Sequence, residues 1–380
     1  MSASHSQRLL EGLNPQQSAA VTHFGGPLLV VAGAGSGKTR VLTRRIAYLM
    51  AERGVQPFEI LAITFTNKAA GEMKERVSEL VGNRAKIMWV STFHSACVRI
   101  LRQEAVRLGF STTFSIYDQA DSLRLVTLVM RDLNLDPKRY NPRGVASVIS
   151  NAKNELLGPA DYRNATQNSF EEVVAEVYAI YQQRLTSANA MDFDDLIMKT
   201  VEVMQKFPES RARYRHRFKH ILVDEYQDTN HAQYILIREL VGTDREGIPA
   251  AELCVVGDAD QSIYGFRGAT IRNIMQFEED YPDATTILLE QNYRSTQNIL
   301  SAANAVISLN EARKEKNLWS DAGSGPKLMG FVAENEHHEA EFVRDELFRL
   351  QREGLSTFVE TAIFYRTNAR SEEHTSEFQS

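Results

Sequence analysis

Residues 28–39 read LLVVAGAGSGKT, and the fold follows from this stretch. Five apolar residues, Leu28 to Ala32, run into glycines at 33, 35 and 37, then Lys38, Thr39 and a helix-forming segment from Val41 to Met50. A short continuous apolar run bounded by glycine reads as a strand buried on both faces. Glycines between strand and helix let backbone N–H groups approach phosphate oxygens, and the helix N-terminus adds partial positive charge there. Lys38 is then placed to reach the outer phosphates and Thr39 a magnesium ion, with Ala34, Gly35, Ser36, Gly37 and Arg40 forming the cradle. The strict GxxxxGK[ST] pattern wants glycine where this chain has Ala32, so the strand–turn–helix setting carries the reading.

Upstream, Asn14-Pro15 offers an N-cap followed by proline at the first helical position, which predicts a helix before the first strand. Downstream, apolar runs at 60–64, 88–91, 221–224 and 253–257 each precede an amphipathic stretch. That alternation predicts an α/β fold with a parallel sheet. Between about Asp118 and Arg217 the strand signal vanishes, and 122–133 and 170–185 repeat with helical period, which predicts an all-helical insertion. Strands expected at 285–290, 328–332 and 361–365 look like the start of a second α/β domain. The expected division is therefore 1–117 and 218–284 for the two parts of the first domain, 118–217 for the insertion and 285–369 for the opening of the second. The last eleven residues, RSEEHTSEFQS from Arg370 to Ser380, fit no structural pattern and read like a translated sequencing adapter, so a non-native tail is expected after Ala369.

The run ending at Val223 stops at Asp224-Glu225. Adjacent carboxylates at a strand's C-terminal end suit cation coordination by the first and activation of an attacking water by the second. Two cysteines, Cys97 and Cys254, lack metal-ligand spacing and suit neither a disulfide framework nor a zinc site. With 43 basic against 49 acidic residues and a net charge of −6, any nucleic acid must be held by a local groove. No apolar run reaches about 18 residues, so a soluble, cytoplasmic protein without membrane contact is expected.

Polar loops carry aromatics at Phe65, beside Thr66, Asn67 and Lys68; at Phe93, beside Thr92 and His94; and at Tyr264 and Phe266, beside Arg267. Single-stranded nucleic acid is held by such mixtures, aromatics stacking on bases while polar groups hold phosphates. The same aromatics suit a hydrophobic core, and His94 suits a buried, satisfied histidine. The basic run from Arg211 to Lys219 is read as a solvated connection rather than a DNA patch, and MDFDDL at 191–196 as an acidic helix N-terminus with no catalytic role.

Taken together, AGAGSGKT (32–39), TFTNKAA (64–70), STFHS (91–95), DEYQD (224–228), GDADQSIYGFRGA (257–269) and QNYRS (291–295) resemble the ordered motifs of superfamily 1 helicases, nearest the UvrD/PcrA/Rep branch. The resemblance implies RecA-like P-loop NTPase domains using ATP and Mg2+. It also implies movement on single-stranded DNA and at single-strand/double-strand junctions, 3′ to 5′, in repair or replication, with the protein nucleoid-associated and partnered by other repair or replication proteins. It makes Gln17 similar to an adenine-reading glutamine, Tyr293 to the aromatic that stacks on the base, Gln261 to a γ-phosphate sensor and Arg294 to an arginine finger. Phe266 stands where relatives often carry tryptophan. Relatives are longer, and a further phosphate-contacting arginine belongs to motifs beyond this chain. Two other readings stay open: an ATP- and DNA-binding module with little turnover, and the helicase subunit of a helicase–nuclease complex.

Overall fold

The computed structural model describes residues 5–243, 247–265, 268–310 and 313–365. It divides into two units, Met1–Ser324 and Gly325–Ser380. The first is built on six parallel strands: β1 (Leu28–Ala32), β2 (Ile60–Thr64), β3 (Trp89–Thr92), and, after a small separate pair β4 (Ser115–Tyr117) and β5 (Ala190–Asp192), β6 (His220–Val223), β7 (Glu252–Gly257) and β8 (Thr285–Leu289). Their spatial order is β3-β2-β6-β7-β1-β8.

Alternate residues of each strand enter different cores. Leu29, Val31, Leu61, Ile63, Ile221, Val223, Leu253 and Val255 pack under the helices Phe93–Glu104, Phe193–Lys206 and His231–Val241. Leu28, Val30, Ala32, Ile60, Ala62, Leu222, Cys254 and Val256 pack under Pro15–Thr22, Lys38–Ala51 and Asn67–Val81. Burial on both faces is the reason these strands are continuously apolar. The helix expected after Asn14-Pro15 forms, and Asn14 caps it reciprocally with Gln17: Gln17 N donates to Asn14 Oδ1 at 2.8 Å and Asn14 N to Gln17 Oε1 at 3.1 Å.

Four expectations need correction. The strand at 285–290 does not open a second sheet; β8 pairs along its whole length with β1, in register from Leu28↔Thr285 to Ala32↔Leu289. No strand forms at 328–332 or 361–365 among the described residues, where no neighbouring strand supplies the hydrogen bonds that a strand requires. The segment 118–217 is not wholly helical, since β5 lies in it and pairs with β4. Nor does that segment share one core. Val126, Val129, Val145, Ile149, Val174, Tyr178 and Tyr181 form a core of their own, whereas Leu196, Ile197, Val201 and Tyr214 pack with the sheet.

The basic run from Arg211 is a helix rather than a connection, with Arg213, His216 and Lys219 exposed and Tyr214 and Arg215 buried. It lies on the helix Pro208–Arg217, where Arg213 pairs with Glu104 at 2.7 Å, Arg215 Nε donates to the Glu239 carbonyl at 2.7 Å, and Arg217 lies over the Trp89 ring at 4.7 Å. In MDFDDL, Asp192 and Asp195 form the capping box of Phe193–Lys206 and also hold the buried Lys153, at 2.6 and 3.0 Å. No helix of the described residues is long and apolar enough to cross a membrane. The expected tail, 370–380, lies outside the described residues.

Glu252 ties the end of the P-loop helix to β7. Its carboxylate accepts from both Arg53 terminal nitrogens, at 2.8 and 2.5 Å. Burial disfavours the charge, but the Arg53 fork and His220 outweigh it and hold the carboxyl down at about 2, against an ordinary 4.5. A lowered folded-state pKa stabilises above the unfolded value and loses that contribution as pH falls through the folded one. Glu252→Gln is therefore expected to destabilise the chain at pH 7 by about 1–2 kcal/mol, allowing for solvent screening of a partly exposed pair. Urea midpoints of the two proteins should converge as pH falls from 4.5 towards 2. A gap independent of pH would assign the loss to packing instead.

The second unit is dominated by the helix Glu336–Arg352, capped by Asn335, whose side chain accepts from His338 N at 2.9 Å. Phe331 stacks on Phe342 with ring centroids 4.0 Å apart, and Phe348 meets Phe358 edge-on.

Candidate functional site

Because the six sheet strands are parallel, their C-terminal ends share one edge, where ligands of open α/β sheets collect. Read across the sheet, this edge carries Thr92 and His94 after β3, then Phe65 to Asn67 after β2, and Asp224-Glu225 after β6. Asp258 to Tyr264 follow β7, the glycine loop follows β1 and residues 291–295 follow β8. Residues spread over about 260 positions of sequence therefore line one rim in a fixed order.

Gly35 and Gly37 have φ of +69° and +89°, left-handed values that favour glycine, and Ser36 Oγ closes the turn on the Gly33 carbonyl at 2.8 Å. The turn delivers Lys38 and Thr39 to the first turn of Lys38–Ala51, whose N-cap is Gly37 and has no side-chain cap. Its N–H groups remain for an anion. Lys38 Nζ meets Glu225 Oε2 at 2.6 Å and Gln261 Oε1 at 3.3 Å. Glu225 reaches it from a left-handed backbone, φ +48°, an uncommon conformation for a residue with a side chain and a form of local strain found at functional sites. Gln227 steadies the glutamate, donating from Nε2 to Glu225 Oε2 at 2.9 Å while its Oε1 accepts from Asp258 N at 2.9 Å.

Asp224 is buried, and its carboxyl is pushed up to about 6 by that burial and by the neighbouring Glu225 charge, with Lys38 acting in the opposite sense. A carboxylate raised in this way gains from a nearby cation. With the Thr39 hydroxyl it offers the hard oxygen donors a magnesium ion takes beside substrate phosphates. The described residues contain no cluster of three or more His, Cys, Asp or Glu side chains placed to hold a metal ion.

Gln17 is fully buried: its Nε2 donates to the Ser36 carbonyl at 2.8 Å and its Oε1 accepts from Asn14 N. The amide is thus beside the loop but already engaged at both ends. From the other side, 291–295 docks on the same loop. Tyr293 N donates to the Gly35 carbonyl at 2.9 Å and Asn292 Nδ2 to the Ala34 carbonyl at 2.5 Å, while Asn292 Oδ1 accepts from Arg294 N and Ser295 N at 2.7 Å each. The exposed Tyr293 ring is anchored by its hydroxyl, which accepts from Asn14 Nδ2 and donates to Gln291 Oε1, both at 2.9 Å. Asn14 thereby links the segments carrying Gln17 and Tyr293. Arg294 is exposed, with its Cβ against Gly35, and Arg40 is exposed with its guanidinium over Gly12.

The aromatic track is mixed. Phe65 is half-buried and meets Phe93 edge-on at 5.9 Å, but Phe93 is itself a core residue. Thr66 and Asn67 are exposed at the start of Asn67–Val81, with Thr66 as its N-cap. Thr92 is also an N-cap; it is buried, its hydroxyl accepts from Ser95 N at 3.2 Å, and little of it is left for a phosphate. His94 is largely buried, which lowers its pKa, and packs edge-on against Phe193 at 5.7 Å. Tyr264 is half-buried in the loop after β7, while Phe266 and Arg267 lie outside the described residues.

A family model described as the UvrD/REP helicase N-terminal domain matches residues 13–282, and one described as the UvrD-like helicase C-terminal domain matches 287–380. The chain belongs to the UvrD/REP helicase family. It is 63% identical over 373 residues to the ATP-dependent DNA helicase UvrD1 of Mycobacterium tuberculosis (strain CDC 1551 / Oshkosh), covering 97% of this chain and 48% of that protein. It is 52% identical over 366 residues to the ATP-dependent DNA helicase PcrA of Bacillus subtilis (strain 168), covering 96% and 49%. The chain spans about half the length of the curated relatives it matches.

Within this UvrD/REP chain, sequence reasoning passed over Phe193 and Asp258. Phe193 is exposed against His94, although the acidic residues around it drew the reading towards helix capping. Asp258 is buried, and its Oδ2 accepts from Gln261 Nε2 at 2.5 Å. Its place one residue after a strand was a usable signal.

Proposed function

We propose that this chain is the ATP-hydrolysing motor core of a 3′-to-5′ single-stranded DNA translocase and helicase acting in DNA repair or replication. The observation that carries the proposal is the contact of Lys38 with both Glu225 and Gln261, because it joins the phosphate loop to the strand ends leading to the aromatic track. Lys38 and the loop N–H groups hold the phosphates, Glu225 orients and deprotonates the attacking water, and Gln261 reads the γ-phosphate. Thr39 and Asp224 would hold Mg2+, which would supply positive charge against the phosphates. Gln17 and Tyr293 take the base and Arg294 the transferring phosphoryl group.

Phe65, Thr66, Asn67, Tyr264, Phe266 and Arg267 form the DNA track, with His94 and Phe193 as a further aromatic pair. Thr92 serves it by holding the loop. Residues 1–117 and 218–284 form the motor domain, with the sheet-packed helix Phe193–Lys206 and β8 belonging to it and the earlier part of 118–217 inserted in it, and the segment after β8 leads to the second domain. A DNA substrate places the protein in the cytoplasm at the nucleoid, acting at single-strand/double-strand junctions.

The test is phosphate release by the purified chain with and without oligo(dT). Stimulation severalfold or more supports a motor whose two sites already communicate. One second reading is a module that binds ATP and DNA with little turnover, since the Gln17 amide is already engaged at both ends beside the loop. DNA binding without any stimulation would select it.

A further inference from the structure

We infer that Lys316 is a positioning residue for Gln261, setting the γ-phosphate reading of the site through a buried ion pair. The inference rests on the reading of Gln261 proposed above. Lys316 Nζ lies 2.5 Å from Asp258 Oδ1 and 2.5 Å from Asp260 Oδ2 and is almost wholly buried, as is Asp258. Arg313 adds a second cation, 3.3 Å from the same Asp260 oxygen.

Asp258 is the hinge of the arrangement. One carboxylate oxygen takes the lysine and the backbone N–H of Asp260, at 3.0 Å, and the other takes Gln261 Nε2 at 2.5 Å. With its nitrogen held, the Gln261 amide must turn its oxygen outward, and that oxygen is the one facing Lys38 at 3.3 Å. A primary amide has one acceptor end and one donor end, so fixing the donor fixes which end a γ-phosphate and its lysine meet. A buried carboxylate keeps one orientation only while its charge is compensated, and Lys316 supplies the compensation.

The lysine comes from a strap that also reads the phosphate loop. Asn317 N donates to Glu290 Oε1 at 2.8 Å, Asn292 N donates to the Trp319 carbonyl at 2.8 Å, and the Leu318 side chain covers Gly33 so closely that a Cβ there would overlap it. The strap that delivers Lys316 is thus hydrogen-bonded to the same segment, 290–292, that docks on the loop. No sequence motif marks the residue, since a lysine between charged neighbours in a loop reads as solvated surface.

The test measures binding of a fluorescent non-hydrolysable ATP analogue and of the matching ADP by the full 380-residue chain, unaltered and as Gln261→Ala, Lys316→Met and Lys316→Arg. The expected result is that Gln261→Ala lowers the preference for the triphosphate, that Lys316→Met lowers it to a similar degree with ADP affinity within about twofold, and that Lys316→Arg restores most of it. Loss of ADP and triphosphate binding in equal proportion, or an unchanged preference in folded Lys316→Met, would overturn the inference. If Lys316→Met lacks a cooperative melting transition, Asp260→Asn removes one of the two lysine partners without touching Gln261; a partial loss of preference supports the inference and full retention overturns it. An unchanged preference in Gln261→Ala, or no nucleotide binding by the unaltered chain, would instead overturn the underlying reading of the site.

Discussion

Lys38→Ala is expected to lower phosphate release by at least about 10²–10³-fold, the scale seen when one preorganised electrostatic contact to a developing anion is removed. Measurement under single-turnover conditions, with chain in excess over labelled ATP, separates this loss from any change in product release. Two effects of the substitution point the same way. The ammonium that compensates phosphate charge is gone, and Glu225, whose 2.6 Å partner it was, is left beside Asp224 without the cation that opposed their repulsion. The Asp224 carboxyl, already raised by burial and by Glu225, rises further once the opposing influence of Lys38 is removed, and its hold on a cation weakens. Nucleotide affinity therefore falls as well as turnover. Thermal stability should change little, because the pair lies at a solvent-accessible rim and such pairs are worth about 0–1 kcal/mol. Retained turnover in a folded Lys38→Ala chain would remove the glycine loop from the chemistry.

The glycine loop was legible in sequence because its physics is local. A doubly buried strand is continuously apolar, and the turn that follows needs residues able to adopt the left-handed φ found at Gly35 and Gly37. Asp224-Glu225 was legible for a similar reason, since the end of an apolar run marks the end of its strand. The assignment of β8 failed because its apolar pattern says strand but not which sheet; the partner, β1, lies about 250 residues away in sequence. The helix Phe193–Lys206 is an equivalent case, since helical period specifies an apolar face and not the core that receives it. The pair β4–β5 is three residues on each side, too short for alternation to register. Among the aromatics, Phe65 and Phe93 look alike in sequence, yet one sits half-buried at a strand end and the other begins a helix whose apolar face enters the core. The buried charges were the least legible. Lys153, Arg215 and Lys316 are paired with groups 20 to 60 positions away in sequence, so each reads locally as surface.

Glu225→Gln is expected to separate chemistry from binding in a way that Lys38→Ala cannot. Removing the carboxylate takes away the group that accepts the water's proton, a contribution of about 10²–10⁴-fold in rate. Yet that carboxylate also competes with phosphate for Lys38, which it holds at 2.6 Å, so the ammonium meets phosphate at the cost of that ion pair. Glutamine keeps the shape and an acceptor oxygen but carries no charge, and the lysine is released at lower cost. Gln227, which donates to the same Glu225 oxygen and also ties down Asp258, still has an acceptor to hold, so the loop geometry should survive. The expected signature is thus a fall in single-turnover rate of two to four orders of magnitude with ATP affinity unchanged or severalfold tighter, read from the same titration. A parallel loss of affinity and rate would assign Glu225 to nucleotide binding rather than to water activation. An unchanged rate would pass that role to another acid on the rim, with Asp228 next along the same loop and its carboxyl already raised by burial and by Glu225.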